Sequence, residues 1–217
     1  MNTLTKMALG LMGQLKSRPA RSESAPTRLL PPARQTGGLS LMQALQQRQS
    51  QREFVTTALP DQVLADLLWA ADGINRPALG GRTAPSAMNS REVDVYVALP
   101  EGLYRYDAAG HVLRLEVPRD VRRVTGYQDF TDEAALDLVF VADHGRMKLV
   151  PAAQREPYAY AAAGAMAQNV YLYCASQGLA TVIRAWIDRS ALGSEMDLSA
   201  DQQILLAQTV GYPHAAA

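Results

Sequence analysis

Cysteine is nearly missing. Cys174 is the single thiol in 217 residues, so no disulfide can form within the chain. It lies in an apolar run, Tyr171-Leu-Tyr-Cys-Ala, which reads as a buried, inert thiol, because a nucleophilic cysteine needs an electropositive setting. Net charge is missing as well. Lys plus Arg and Asp plus Glu both total 21, which gives no electrostatic reason to expect nucleic acid or an anionic membrane as a partner. No stretch approaches the roughly 18–20 apolar residues that span a bilayer. Lys6 followed by Met7-Ala-Leu-Gly-Leu-Met-Gly imitates a signal peptide only weakly, since Lys16 and Arg18 follow without a clean cleavage pattern. A cytoplasmic location is therefore expected, with the periplasm as the alternative. Also lacking are a dinucleotide-binding glycine fingerprint, a pair of carboxylates and a His/Asp arrangement suited to acid–base work. His111, in a hairpin turn, His144, after a strand, and His214, near the C-terminus, are given no catalytic role.

Apolar residues make up 48% of the chain, enough for one domain with a sizeable core. Residues 1–37 hold Ser17-Arg-Pro, Ser22-Glu-Ser-Ala-Pro, Pro31-Pro and Gly37-Gly, a composition that buries little. They read as a flexible or partner-wrapping arm, and 38–214 as the domain proper. Ser40 and Gln43 form the pattern of a capping box for a helix to about Gln49. Pro60-Asp61 opens a second helix, with Val63, Leu64, Leu67, Leu68 and Ala71 on one face and Gly73 as its stop. Val93 to Leu99 alternates like a strand, and 102–107 with 112–117 reads as a hairpin. Leu136–Ala142 is apolar enough for a central strand. Tyr158–Gln177, apolar nearly all round, reads as a long buried helix ended by Gly178. Two further strands, Thr181–Ile187 and Gln203–Val210, enclose a short helix starting near Asp188. Without regular βαβ alternation, the expected class is α+β, a central mixed or antiparallel sheet flanked by helices.

Four constellations carry the candidate chemistry. Arg48 and Arg52, four apart, would share one helical face, with the Ser50 hydroxyl between them in sequence, a good phosphate cradle, if the first helix extends that far; a solvated helix end explains them equally simply. Pro85, Ser86 and Asn89 stand in an irregular segment, where an amide could meet the polar edge of a flat heterocycle or merely satisfy a turn. Gln168 and Asn169 interrupt an apolar helix in which Gly164 permits close approach. Gly178, Leu179, Ala180 and Thr181 link helix to strand, with backbone N–H groups free to meet a ligand or simply to cap the helix.

In order, Arg-x-Ser-x-Arg, Ala-Pro-Ser-Ala-x-Asn, Gly-Leu-Tyr-x-Tyr-Asp, Ala-Gly-x-x-x-Gln-Asn with Gly-Leu-Ala-Thr, and Val210-Gly-Tyr-Pro213 resemble the nitroreductase family over Leu39–Pro213. The hairpin motif Gly102–Asp107 is similar to the SagB-type dehydrogenase branch, which includes azoline oxidases acting on peptides. The resemblance implies a nitroreductase-like fold and a domain-swapped type of homodimer with FMN in a cleft between subunits. It implies ping-pong hydride transfer from NADH or NADPH to a small flat acceptor, such as a nitroaromatic or a quinone. A peptide-oxidising dehydrogenase and a flavin-binding protein without turnover are the alternatives. Arg48, Ser50 and Arg52 match the family's phosphate and ribityl contacts, and Pro85, Ser86 and Asn89 the segment against the ring. Gln168 is carried over with the helix motif, and Gly178, Leu179 and Ala180 match backbone near flavin N5. Two departures stand out. No Arg or Lys follows the Gly-Tyr-Pro motif, so either that phosphate contact is missing or Arg184 or another residue substitutes for it. Lys148 is the only lysine after Lys16, and the Lys-Tyr dipeptide of the azoline oxidases is absent.

Overall fold

Strands that bury both faces need cover on both sides, and the long apolar strands of this chain form the middle of such an arrangement. The structure, a computed structural model, describes residues 26–214. The signal-like segment Met7–Gly13 and most of the expected arm lie outside the described residues. The strands are β1 (Thr27–Leu29), β2 (Phe54–Val55), β3 (Ile74–Arg76), β4 (Gly81–Arg82), β5 (Val93–Leu99), β6 (Gly102–Asp107), β7 (Val112–Val117), β8 (Leu136–Asp143), β9 (Ala180–Arg184) and β10 (Gln202–Pro213). The helices are α1 (Leu41–Gln47), α2 (Asp61–Asp72), α3 (Ala152–Gln177) and α4 (Arg189–Glu195). The main sheet runs β1-β7-β6-β5-β8-β10-β2, with β9 also paired to β10, and β3 with β4 forms a separate ribbon. Every pairing among the described residues is antiparallel, so the α+β expectation resolves to its antiparallel form.

Alternation decides which residues meet which layer. Val93, Val95 and Val97 of β5 and Leu138, Phe140 and Ala142 of β8 face the α2–α3 layer, joined by Leu64, Leu67, Leu68, Ala163, Met166 and Val170. Tyr96, Ala98, Val139 and Val141 face the other way, against Leu192 and Met196 around α4. A bulge in β10 between Ile204 and Leu206 breaks this alternation and puts Leu205 into the helix-side core.

Local signals account for the helix ends. Ser40 and Gln43 make the reciprocal capping box at α1, and Gly73 follows α2. Gly178 closes α3 in the left-handed conformation, φ 68°, and Leu179 N–H donates to Cys174 O at 2.9 Å. Asp188 caps α4. Three expectations change. The first helix stops at Gln47, because Arg48 has ψ 120° and leaves the helical region. The long helix begins six residues early, at Ala152, and carries Pro157 in its second turn at the loss of one intrahelical hydrogen bond. It is also buried along one stripe, Ala159, Ala162, Ala163, Met166, Ala167, Val170, Tyr171 and Cys174, rather than all round.

The arm is corrected too. From residue 26 the chain is stitched to the domain. β1 adds to β7 as an edge strand, Pro31 O meets His111 Nε2 at 3.1 Å, and Arg34 donates through both N and Nε to the buried Asp66. Leu39 N–H donates to Ser176 Oγ at 2.8 Å. Main-chain pairing of this kind needs no apolar composition, which is why composition did not reveal it. Among the described residues no helix is long and apolar enough to cross a membrane.

Candidate cofactor site

The end of α1 sets the first part of the site. Beyond Gln47 the chain runs extended alongside β9, and Gln51 N–H donates to Thr181 O at 3.0 Å. In extended chain, positions 48, 50 and 52 share a side by the period of two, so the three need no helix to lie near one another. Tyr171 of α3 is its anchor. The phenol oxygen lies 2.7 Å from Ser50 Oγ and accepts Ile183 N–H at 3.0 Å, while the Arg48 guanidinium stands 5.2 Å from the centre of the ring. Since Tyr171 O must accept from Ile183, its own hydrogen is available to Ser50. No carboxylate pairs with Arg48 or Arg52 among the described residues, and Arg52 is exposed. Two unneutralised cations on one short segment favour an anion.

The second part is the turn after Pro85, which packs against α3. Met88 and Asn89 both have φ 53° and Arg91 has φ 50°. Asparagine enters the left-handed region readily, but methionine and arginine do so at roughly 1–2 kcal/mol each. Polar contacts hold the strain in place. Ser86 Oγ accepts Arg91 N–H at 3.0 Å, Ser90 Oγ reaches Ala87 O at 2.7 Å, and Arg91 Nε donates to Asn89 Oδ1 at 3.4 Å. Just upstream, Arg82 Nη1 donates to Asp72 Oδ2 at 2.8 Å and to Asp72 O at 2.7 Å, while Arg82 Nε is buried with no partner. Burial pushes the Asp72 carboxyl up to about 7, with Arg82 opposing the shift. Strain concentrated in one turn, held over a buried ion pair, marks a segment kept for a purpose other than stability.

The third part is the α3–β9 junction. A Cβ on Gly178 would meet nothing within 4 Å, so open space lies above this backbone, and Leu179 and Ala180 behind it are buried. The three parts thus rest on one helix, α3, through Tyr171, its outer surface and its C-cap.

Two expected residues behave otherwise. Arg184 is 5% exposed and gives all five donors to the protein. They go to Asp137 Oδ1 at 2.6 Å, Thr209 Oγ1 at 3.0 Å, Thr125 O at 2.9 Å, Thr125 Oγ1 at 3.1 Å and Gln128 Oε1 at 3.3 Å. With none left for a phosphate, Arg184 is withdrawn as the substitute contact. Gln168 is exposed, so no burial penalty forces it to pair. The buried amide of this layer is Gln208, which donates to Ala167 O and Thr181 Oγ1. Sequence reasoning also passed over Tyr171, read only as part of an apolar run. The remaining expectations fall as structural pieces. Cys174 is buried, and burial pushes its thiol up. His111 ties Tyr106 OH to Pro31 O, and His144 Nε2 meets Gln203 Oε1. The Gly102–Asp107 motif is sheet, with Leu103 and Tyr106 in the two core layers.

The antiparallel α+β sandwich thus brings a cationic segment, a strained turn and a glycine junction together along one central helix. The nitroreductase family model matches residues 45–212, and the chain belongs to that family of flavin-dependent oxidoreductases. A Methanocaldococcus jannaschii protein named as a nitroreductase is 30% identical over 154 residues, 66% of this chain and 77% of that protein. A Ralstonia eutropha crystal structure, also named as a nitroreductase, is 50% identical with a TM-score of 0.84, covering 93% of this chain and 96% of that one. The NADPH:FMN oxidoreductase of Vibrio harveyi, solved with NAD+, shares the fold at 19% identity and a TM-score of 0.58, covering 81% of this chain and 69% of that one.

Proposed function

We propose that the protein is an FMN-dependent oxidoreductase that passes reducing equivalents from NADH or NADPH to a small flat acceptor such as a nitroaromatic or a quinone. The observation that carries this reading is the pair of unneutralised arginines, Arg48 and Arg52, set beside β9 by Tyr171. Arg48, Ser50 and Arg52 hold the phosphate and ribityl chain. Pro85, Ser86 and Asn89 pack against the ring, and the backbone of Gly178, Leu179 and Ala180 lines the open space beside it, close approach being what the glycine permits. Bound FMN supplies the hydride chemistry, and the protein's part is to position and tune it. No acid–base side chain is assigned. The site takes its second wall from another copy of the chain in a homodimer. Supporting this, α1 presents Leu41, Met42 and Leu45 to solvent, and the outer side of α3 carries small residues, including Gly164, whose added Cβ would meet nothing within 4 Å. A cytoplasmic setting, where NADH and NADPH are plentiful, accompanies this reading.

The test begins with the visible absorption spectrum of the purified protein and identification of any released cofactor. A two-band flavin spectrum, release of FMN and bleaching by NADH or NADPH are expected. Failure of the protein to take up added FMN would overturn the reading, and bound FMN that neither nicotinamide bleaches would overturn its donor half.

A further inference from the structure

Ser90 Oγ has two short oxygen contacts, Ala87 O at 2.7 Å and Glu92 Oε2 at 2.9 Å. A carbonyl oxygen cannot donate, so the hydroxyl's one hydrogen goes to Ala87 O. The contact with Glu92 then needs a hydrogen from the carboxyl side. Glu92 is fully buried, at 0% exposure, and its other oxygen, Oε1, is buried with no partner. A carboxylate there would leave a buried charge with one oxygen unmatched, its donors limited to its own backbone N–H and, at the expense of Ala87 O, the Ser90 hydroxyl. A neutral acid leaves only an unmatched carbonyl, a much smaller cost. The charged and titratable neighbours leave this arrangement in place. Arg146 acts on Glu92 from a distance and is occupied by Asp94, Asp143 and Arg91 O. His144 engages Gln203 through Nε2, and its buried Nδ1, like Glu92 Oε1, has no partner, so the two do not pair.

We infer that Glu92 is a neutral carboxylic acid that donates through Ser90 to Ala87 O, and so holds the 87–91 turn in its left-handed shape as a positioning residue for the cofactor segment. The chain of hydrogen bonds reaches the first residue of the turn that contains Met88 and Asn89. The backbone on the far side is pinned independently, Arg91 O by Arg146 Nη1 and Glu92 O by Asp143 N–H, both at 2.7 Å. Loss of the Glu92 proton therefore removes one of the two hydrogen bonds to Ala87 O, the other being Ser90 N–H at 3.1 Å, and loosens the strained turn without moving the strand that follows. The direction of the shift agrees, burial raising the Glu92 carboxyl above its usual range against the pull of its own backbone N–H, Ser90, Arg146 and His144. A carboxyl raised in the folded state contributes stability that is complete below its unfolded value, about 4.3, and lost as pH rises through the folded value. The link to cofactor binding rests on the reading of 85–89 as a ring-packing segment.

The experiment compares wild type with Glu92→Gln, which keeps the shape and a donor at all pH values, and with Glu92→Ala. Infrared difference spectra between acid and alkaline samples should show a protonated carboxyl band in wild type that is missing in E92Q. The melting temperature of wild type should fall relative to E92Q as pH rises through that titration. FMN affinity should weaken in wild type by up to tenfold per pH unit above it, the limit for one proton, while E92Q shows no such loss and E92A is weak throughout. Absence of the infrared band, or parallel pH profiles for wild type and E92Q, would overturn the inference. If no variant binds FMN at any pH, the cofactor reading fails on its own, and the infrared and melting profiles still decide the state of Glu92.

Discussion

The arginines of β9 and of the α1–β2 segment show how one side chain serves two ends. Arg184 lies beneath the sheet surface, every donor matched, against an Asp137 that accepts from Arg184, Thr125 and Thr209. Arg48 and Arg52 lie at the edge with no carboxylate partner, and the nearest feature to Arg48 is the face of Tyr171. Saturation separates the two uses. An arginine whose five hydrogens are spent inside the protein fixes strands, whereas one held in place with its hydrogens unspent recognises something else. The same contrast divides the acids. Asp137 is buried with several donors, and Glu92 is buried with one oxygen unmatched.

Breaking the saturated side has the largest effect. Arg184→Ala strands the Asp137 carboxylate in the core and should cost about 3–5 kcal/mol in chemical denaturation, whatever cofactor is present. A loss below about 1 kcal/mol would mean that Arg184 is not the structural member of the pair. Arg48→Ala with Arg52→Ala should do the reverse. Stability without cofactor should change by less than about 0.5 kcal/mol at the exposed Arg52 and by about 0.5–1 kcal/mol at the half-buried Arg48, which leaves the Tyr171 ring, while FMN affinity in a fluorescence titration falls by about 1.5–3 kcal/mol per lost charge-assisted contact. Unchanged affinity would remove both residues from the site. Tyr171→Phe lies between the two classes, since it strips the anchor from Ser50 and orphans Ile183 N–H. It should cost about 1–3 kcal/mol of stability and also weaken FMN, and an effect on stability alone would make Tyr171 purely structural. The smallest change is Gly178→Ala. The added methyl meets open space, so the penalty is conformational, about 1 kcal/mol by thermal melting. A larger loss of FMN affinity than of stability would show that the space above Gly178 is used.

Much of this could be read before folding. The capping box at Ser40, the period of three to four in α2, the alternation in β5 and the hairpin turn at Ala108-Ala-Gly-His are local signals, and each element formed where its residues asked for it. The cofactor motifs were legible as an ordered series, though their geometry was not. Arg48 and Arg52 were expected on a helix and stand on extended chain, because pairing of Gln51 with Thr181 of β9 outweighs the helical tendency of the intervening glutamines. Arg184, a lone cation in an apolar strand, carries no local mark of its commitment. Its partners come from positions 125, 128, 137 and 209, which only the closed sheet brings together.

The sequence by itself determined the class of fold, the order of the elements and the residue types offered to a flavin, because propensity, capping and periodicity act over a few neighbours. Tertiary structure alone decided which charges are spent and which are kept. It folded residues 26–39 onto the domain, buried Glu92 beside Ser90, placed Tyr171 under Ser50 and turned Arg184 inward. Each of these is a contact between residues far apart in the chain, or a burial set by distant packing, and no local pattern encodes it.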